Sequence, residues 1–196
     1  AYSHLAALEI YPDTEVIACK TFDECFTKAK EDNKLKIIIP ESNRITGNIG
    51  IEYLMFKHRL NIFAEHFLQI EHNLLGLRGS KLEDVKNVFS HAQALSQCSN
   101  FIKKNKFIEN VHADTAGSAE LISKSKKKSE AAIASKLSAK IYKLDVLASN
   151  IENEKRNATR FLIMGSSVSQ PELKKGKYIT SFLFKLKSKP AALYQS

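Results

Sequence analysis

The stretch VKNVFSHAQALSQCSNFIKKNKFIENVHADTAGSAELISKSKKKSEAAIASKLSAKIY, residues 85–142, decides the fold class, because short apolar runs alternate in it with longer amphipathic ones. The alternation predicts three successive strand–helix units. The predicted pairs are strand 85–89 with helix 92–103, strand 108–112 with helix 116–125, and strand 131–133 with helix 135–142. Strands that alternate with helices indicate an α/β architecture with largely parallel sheets.

The first half of the chain shows the same alternation less regularly. Residues 14–19 are rich in β-branched and apolar side chains and are predicted to form a strand. Thr21, followed three residues later by Glu24, is typical of a helix start with a capping box. A buried strand over 35–39 is predicted to end at Pro40, and a helix over 49–60 precedes an extended stretch over 62–72.

Composition narrows the class of protein. The 196 residues are 43% hydrophobic, enough for one ordinary domain or two small lobes, and no apolar run approaches the roughly 20 residues of a membrane span. The three cysteines lack a Cys-x-x-Cys spacing, which argues against a zinc site and is typical of a reducing, cytoplasmic setting. The net charge of +9 suits nucleic acid, an acidic surface or a small anion. Because the lysines are scattered and not interleaved with aromatic residues, we expect a solvated basic surface and neither nucleic acid nor a membrane as partner.

Small and polar residues follow each predicted strand, at the edge where ligands bind in α/β sheets. These segments are 40–47, 90–93, 114–117 and 134–135, and each opens a helix whose N–H groups favour an anion. Taken singly, Ser90, Thr115 and Ser135 also fit simple N-capping, which is the favoured interpretation of each.

Five segments, taken in order, resemble the prephenate dehydratase family. They are residues 1–7 (AYSHLAA), 90–98 (SHAQALSQC), 114–119 (DTAGSA), 131–135 (AAIAS), and 151–152 with 157–161 (IE and NATRF). The resemblance implies two α/β lobes around an active-site cleft, similar to type II periplasmic binding proteins. Lobe one would hold about 1–64 plus 157–165 and lobe two about 65–156, together the catalytic domain 1–165. Residues 166–196 would form a linker and the incomplete start of an ACT regulatory domain.

The resemblance also implies an activity in L-phenylalanine biosynthesis, the conversion of prephenate to phenylpyruvate, carbon dioxide and water without cofactor or metal. Thr159 would be the catalytic residue, acting on the leaving hydroxyl. Arg160 would either pair with a substrate carboxylate or form a structural ion pair, and the sequence leaves both open. The other predicted substrate-binding residues are Asn43, Ser90, Gln93, Gln97, Thr115, Tyr2 and Ser3. Cys98 and His91 are expected to have structural roles.

One segment departs from the family pattern. The family's Glu and Ser positions in Pro-x-Glu-Asn-Ser-x-x-Gly hold Ser42 and Arg44 here, and the glutamate has moved to position 41. Alternatives therefore stay open: arogenate as substrate, or a catalytically degenerate two-lobed protein that binds small anions. Family members usually dimerise, so the resemblance implies a homodimer.

Overall fold

The computed structural model describes residues 2–167 and residue 184. Within them, seven α-helices and nine β-strands form, with one short 3-10 turn over Leu82–Asp84. The helices are α1 (Tyr2–Ile10), α2 (Phe22–Glu31), α3 (Glu52–His58), α4 (Ala92–Gln97), α5 (Ser99–Asn105), α6 (Thr115–Lys124) and α7 (Lys136–Tyr142). The strands are β1 (Ile37–Asn43), β2 (Gly47–Asn48), β3 (Asn61–Gln69), β4 (Asn73–Gly76), β5 (Asn87–Ser90), β6 (Ile108–Val111), β7 (Glu130–Ala134), β8 (Asp145–Ala148) and β9 (Ala158–Gly165).

These elements build two sheets, one in each lobe, and confirm the predicted two-lobed α/β fold. The first sheet has the strand order β2-β1-β9-β3, and the second has the order β6-β5-β7-β4-β8. In the first, the odd residue Phe161 of β9 packs towards α1, whereas the even residues Leu162 and Met164 pack towards α2 and α3. The second sheet is likewise covered on both faces, by α4 and α5 on one side and by α6 and α7 on the other.

The expected parallel pairing holds for only part of the structure. Within the second sheet β5 is parallel to both β6 and β7, as strand–helix–strand crossovers require. All pairs of the first sheet, and both pairs that β4 makes, are antiparallel. The prediction of largely parallel sheets was therefore wrong, because β9 and β4 enter their sheets from the connections between lobes and not from helical crossovers.

The chain passes from the first sheet to the second between Gln69 and Asn73, and returns between Ala148 and Ala158. The expected lobe boundary at residue 64 is corrected, because β3 pairs with β9 along its whole length to Gln69. The two crossings are bonded to each other: the Ile70 N–H donates to the Asn157 carbonyl at 2.7 Å. The predicted linker and ACT-domain start over 166–196 lies almost wholly outside the described residues.

Two local predictions in the first lobe were wrong and one is confirmed. Residues 14–19 form no strand, and β1 does not stop at Pro40 but continues to Asn43 with a bulge. Proline is tolerated there because β2 pairs only with the last two residues of β1, which leaves that edge open at Pro40. Thr21 does cap α2, accepting from the Glu24 N–H at 3.1 Å.

Within the described residues, none of the helices combines the length and the apolar character that crossing a bilayer requires.

Candidate active site

A cavity of about 250 Å³ lies where the two lobes meet. The end of β1, the start of β9, the first crossing between the lobes and the N-terminal ends of α1, α4 and α6 all contribute to its wall. The lining residues are Tyr2, Ser3, Pro40, Asn43, Ile49, Ile70, His72, His91, Gln93, Ala94, Gln97, Asp114, Thr115, Thr159 and Phe161. The structure thus brings together seven of the nine predicted site residues, and leaves out Ser90 and Arg160.

Thr159 and Arg160 lie on opposite faces of β9, because successive strand residues alternate. Thr159 is 7% exposed and faces the cavity together with Phe161. The Arg160 Nε donates to the Glu65 carboxylate at 2.7 Å, and its NH1 group donates to the Glu41 carboxylate at 3.3 Å. Of the two roles that the sequence left open for Arg160, the structure shows the ion pair, because its guanidinium holds two carboxylates of the first sheet on the face away from the cavity. The alternative, a pair with a substrate carboxylate, is corrected.

Asn43 orients the Thr159 hydroxyl. Its Oδ1 accepts the backbone N–H groups of Ile45 at 3.0 Å and Thr46 at 3.2 Å, which fixes the turn after β1. Its Nδ2 is thereby turned towards Thr159, where it donates to Oγ1 at 2.9 Å. Because the threonine oxygen accepts from Asn43, its own proton remains available to a group in the cavity.

The altered segment leaves this arrangement intact. The Glu41 carboxylate accepts from the Ser42 hydroxyl at 2.6 Å and pairs with Arg160. Arg44 is exposed and does not line the cavity. Asn43 therefore keeps its place although its two neighbours differ from the family pattern.

A second row of hydrogen bonds crosses from the first lobe to the second. Asn157, which is fully buried, accepts from the Asn43 Nδ2 at 2.8 Å and donates from its own Nδ2 to the Gln97 Oε1 at 3.0 Å. The same oxygen lies 2.8 Å from the His72 Nε2, and the His72 Nδ1 lies 2.8 Å from the Tyr2 hydroxyl. The order Tyr2–His72–Gln97–Asn157–Asn43–Thr159 links α1 to the candidate catalytic hydroxyl.

His72 and Asn157 are members of this row that the sequence reasoning did not single out. Asn157 begins the NATRF segment, and that position was its only signal. His72 is 2% exposed and is the last residue of the extended stretch predicted over 62–72, so nothing in the sequence distinguished it from an ordinary core histidine. Burial lowers the pKa of His72 below its usual range, although the Gln97 hydrogen bond and the Glu152 charge oppose this shift.

The remaining predicted residues lie as follows. Gln93 of α4 donates across the cleft to the Thr46 hydroxyl. Ser90 is fully buried and donates to the Ile133 carbonyl at 2.7 Å, so it supports the second sheet rather than facing the cavity. The prediction that Ser90 binds substrate is corrected accordingly. Burial, followed by the nearby Cys98, Glu152 and Glu71, raises the pKa of the Tyr2 hydroxyl well above its usual range, so this group stays protonated at neutral pH.

Helix capping was predicted correctly for one of three residues. Ser135 caps α7 by accepting from the Ser138 N–H at 3.2 Å. The residue that caps α4 is instead His91, one position after Ser90, and the residue that caps α6 is Asp114, one position before Thr115. The structural role expected of His91 is thereby confirmed, since its Nδ1 accepts from the Gln93 N–H at 3.3 Å.

The electrostatics of the cavity are set mainly by neutral donors. Asp114 is the one carboxylate among the lining residues, and its Oδ1 accepts the Gly117 N–H at 2.8 Å. No lysine or arginine belongs to that lining set, so an anion would be held by amide, hydroxyl and helix N-terminal N–H groups.

Cys98 is fully buried, and desolvation raises its thiol pKa, which agrees with a packing role. In the part of the chain that the structure describes, no group of three or more His, Cys, Asp or Glu side chains could hold a metal ion.

Comparison with known proteins identifies relatives for almost the whole chain. A family model described as prephenate dehydratase matches residues 1–169. An Arabidopsis thaliana protein named arogenate dehydratase/prephenate dehydratase 1, chloroplastic, is 40% identical over 198 residues, which are 100% of this chain and 50% of that protein. A prephenate dehydratase of Methanocaldococcus jannaschii is 37% identical over 186 residues, covering 93% of this chain and 66% of that one.

A solved structure agrees with the fold. The prephenate dehydratase of Arthrobacter aurescens in complex with L-Phe matches with a TM-score of 0.80 at 22% identity, over 88% of this chain and 59% of that chain. The chain spans about half the length of the first curated relatives that it matches.

Proposed function

Because this chain belongs to the prephenate dehydratase family, we propose that it is a carbon–oxygen lyase that converts prephenate to phenylpyruvate, carbon dioxide and water. The observation that carries the proposal is the Thr159 hydroxyl, which faces the cavity and accepts from Asn43 at 2.9 Å. An elimination that expels hydroxide needs a proton or a hydrogen-bond donor at the leaving oxygen, and Thr159 is in place to supply one.

The reaction requires few other groups from the protein. As the ring carboxylate leaves as carbon dioxide, the electrons of its C–C bond move through the cyclohexadiene and the C–O bond to the ring hydroxyl breaks. The departing oxygen takes one proton and leaves as water, and the ring becomes aromatic. Thr159 donates the hydrogen bond to that oxygen in the transition state, with the ultimate proton coming from solvent.

Binding of the substrate carboxylates is assigned to neutral donors. Tyr2 and Ser3 at the start of α1 and Thr115 at the start of α6 bring helix N-termini to the wall, where unpaired N–H groups and the helix dipole favour anions. Gln93 and Gln97 add amide donors from the second lobe. Donors without a full positive charge avoid over-stabilising the carboxylate that must leave as neutral carbon dioxide.

Arogenate is a second candidate substrate, and Asp114 is the observation that favours it. Arogenate carries an ammonium group where prephenate carries a keto oxygen. Asp114 is the one carboxylate lining a cavity that has no lysine or arginine in its wall, and it suits an ammonium better than a second anion. Six of the relatives are named as arogenate dehydratases or as arogenate dehydratase/prephenate dehydratases.

We also propose a reducing compartment such as the cytoplasm, and a homodimer. The three free thiols of Cys19, Cys25 and Cys98 support the first proposal. The family resemblance supports the second, which multi-angle light scattering of the purified chain tests directly.

The test is to incubate the purified chain at neutral pH with prephenate or with arogenate, and to follow phenylpyruvate or phenylalanine against a blank without protein. The decisive variants are Thr159→Val, which keeps the shape but removes the hydroxyl, and Thr159→Ser, which keeps the hydroxyl. We expect kcat to fall by about 10²-fold or more in the first and less than about tenfold in the second, with substrate affinity little changed. Thr14→Val, in an exposed turn, is the matched control and should leave kcat unchanged.

Two results would reject the proposal in different ways. Binding of prephenate and arogenate without turnover of either would support a degenerate anion-binding protein instead. Turnover that survives Thr159→Val would keep the enzyme but remove Thr159 from its role.

A further inference from the structure

In the row of hydrogen bonds from Tyr2 to Thr159, backbone groups decide which side-chain atom donates and which accepts. The Asn43 Oδ1 accepts from the N–H groups of Ile45 and Thr46, which can only donate. The oxygen and nitrogen of the Asn43 amide are therefore assigned by the backbone, and its Nδ2 must be the atom that meets Asn157 and Thr159.

The same reasoning assigns the oxygen and nitrogen atoms of the next two amides, those of Asn157 and Gln97. Since the Asn43 Nδ2 donates, the Asn157 atom 2.8 Å away must be its oxygen, and the Asn157 nitrogen then donates to Gln97 at 3.0 Å. The Gln97 atom that accepts there is its Oε1. The Gln97 Nε2 makes no hydrogen bond with any of the residues that the structure describes, and Gln97 lines the cavity.

His72 is the second donor to that oxygen. Its Nε2 lies 2.8 Å from the Gln97 Oε1, and an amide oxygen only accepts, so Nε2 carries a proton. The imidazole is fixed on the first crossing between the lobes: its backbone N–H donates to the Glu152 carboxylate at 2.9 Å, and its carbonyl accepts from the Ile151 N–H at 3.0 Å. The Tyr2 hydroxyl lies near two acceptors, the His72 Nδ1 at 2.8 Å and the Glu71 carbonyl at 2.9 Å. When the ring is neutral and protonated on Nε2, Nδ1 can only accept, so the single Tyr2 proton is shared between these two acceptors.

We propose that His72 is a positioning residue whose Nε2–H, together with Asn157, locks the Gln97 amide so that its two N–H bonds face the substrate. This inference rests on the proposed function, because a carboxylate is the ligand that needs donors at this point. In the opposite amide orientation the Gln97 oxygen would face the anion and two donors would meet the Gln97 nitrogen, so both sides would be repulsive. His72 does not touch the reacting atoms; it acts through Gln97.

Two substitutions separate this role from simple packing. In His72→Gln the side-chain nitrogen reaches about as far as the imidazole Nε2, so a donor to Gln97 is retained. In His72→Asn the amide reaches only to the Nδ1 position, so the donor to Gln97 is lost while contact with Tyr2 is kept. We expect His72→Asn to raise KM about tenfold and His72→Gln to stay within about threefold of the unmodified chain.

The controls use a second buried histidine and the glutamine itself. His58 is 9% exposed, contacts Asp23 at 3.1 Å and lies outside the cavity lining, so His58→Asn and His58→Gln should leave KM unchanged. Adding His72→Asn to a Gln97→Ala chain should raise KM no further, because the group that His72 orients is already gone.

A measurement without catalysis completes the test. Nitrogen-15 NMR of histidine-labelled protein should show His72 as the neutral Nε2–H tautomer; the Nδ1–H tautomer would overturn the proposal. Equal KM values in the two His72 variants of an active chain would also overturn it, without touching the proposed function. If the unmodified chain binds prephenate but does not turn it over, the proposed function fails, and the order of calorimetric affinities in the two variants still decides the role of His72.

Discussion

The Nδ2 of Asn43 lies 2.9 Å from the Oγ1 of Thr159, although 116 residues separate them in the chain. The contact exists because β1 and β9 are antiparallel neighbours in which Asn43 is directly opposite Thr159. Strand pairing therefore fixes the direction of the threonine proton, since an oxygen that accepts from Asn43 is free to donate elsewhere.

Asn43→Asp should reverse that direction. A carboxylate accepts and does not donate, so the Thr159 proton would turn to it and away from the leaving hydroxyl. We expect kcat to fall by about 10²-fold in steady-state kinetics, and because the new carboxylate lines the cavity, calorimetry should also show weaker binding of the dianionic prephenate. Combining Asn43→Asp with Thr159→Val should lose little more than either change alone. Fully additive losses would show that Asn43 acts independently of Thr159.

Arg160→Met should act on stability rather than on substrate binding. It leaves Glu41 and Glu65 as neighbouring carboxylates without their shared partner, and all three side chains are 24–30% exposed. We expect urea denaturation to show a loss of about 1–2 kcal/mol in the free energy of unfolding, with KM changed less than about twofold. Arg160→Lys should give an intermediate loss in the free energy of unfolding, because lysine keeps the positive charge but not the planar guanidinium that binds both carboxylates. A KM that rises about tenfold without loss of stability would return Arg160 to the substrate site.

The sequence predicted seven of the fifteen residues that line the cavity, and these seven lie in short local patterns. Polar residues after a strand and at a helix start, such as Gln93 and Thr115, can be located from local periodicity alone, and a family pattern selects Thr159. Ser90 was predicted wrongly because it is the last residue of β5, and nothing local tells whether a strand-end side chain turns towards the cavity or into the sheet.

What the sequence did not predict depends on long-range pairing. β4 and β8 are only four residues each, and β4 is recognisable only once β7 and β8 lie on either side of it. Thr159 and Arg160 are adjacent in the same motif, but their side chains point to opposite faces of β9 because strand residues alternate. The layers that cover those two faces are formed by segments distant in the sequence. His72 gains its role from Tyr2 and Gln97, 70 and 25 residues away.

Asp114→Asn should change the choice between the two candidate substrates. Asparagine caps a helix as well as aspartate does, so α6 should remain in place while the charge at the cavity disappears. We expect the ratio of kcat/KM for prephenate over that for arogenate to rise at least about fivefold, or about 1 kcal/mol.

The matched control for this change is Asp145→Asn, which also removes a carboxylate that accepts a backbone N–H, from Gly79 at 2.8 Å, but lies outside the cavity lining. It should leave the ratio of the two substrates unchanged. If both variants shift the ratio equally, the effect comes from overall charge, and Asp114 does not distinguish the substrates.

His72 should make the stability of the fold depend on pH. Burial lowers its pKa in the folded chain, so below about pH 6.5 the unfolded chain takes up a proton that the folded chain does not. The free energy of unfolding therefore falls as the pH drops from about 6.5 towards the folded-state pKa, by at most about 1.4 kcal/mol per pH unit, and this contribution vanishes above that window. His72→Gln has no such proton. Urea denaturation at about pH 7.5 and about pH 5.5 should show a smaller loss of stability in this variant than in the unmodified chain. The other titrating groups, including His4 with its own lowered pKa, are common to both proteins and cancel in the comparison. Equal losses in the two proteins would mean that His72 is protonated as readily in the folded chain as in the unfolded one, and that the buried imidazole is not held neutral.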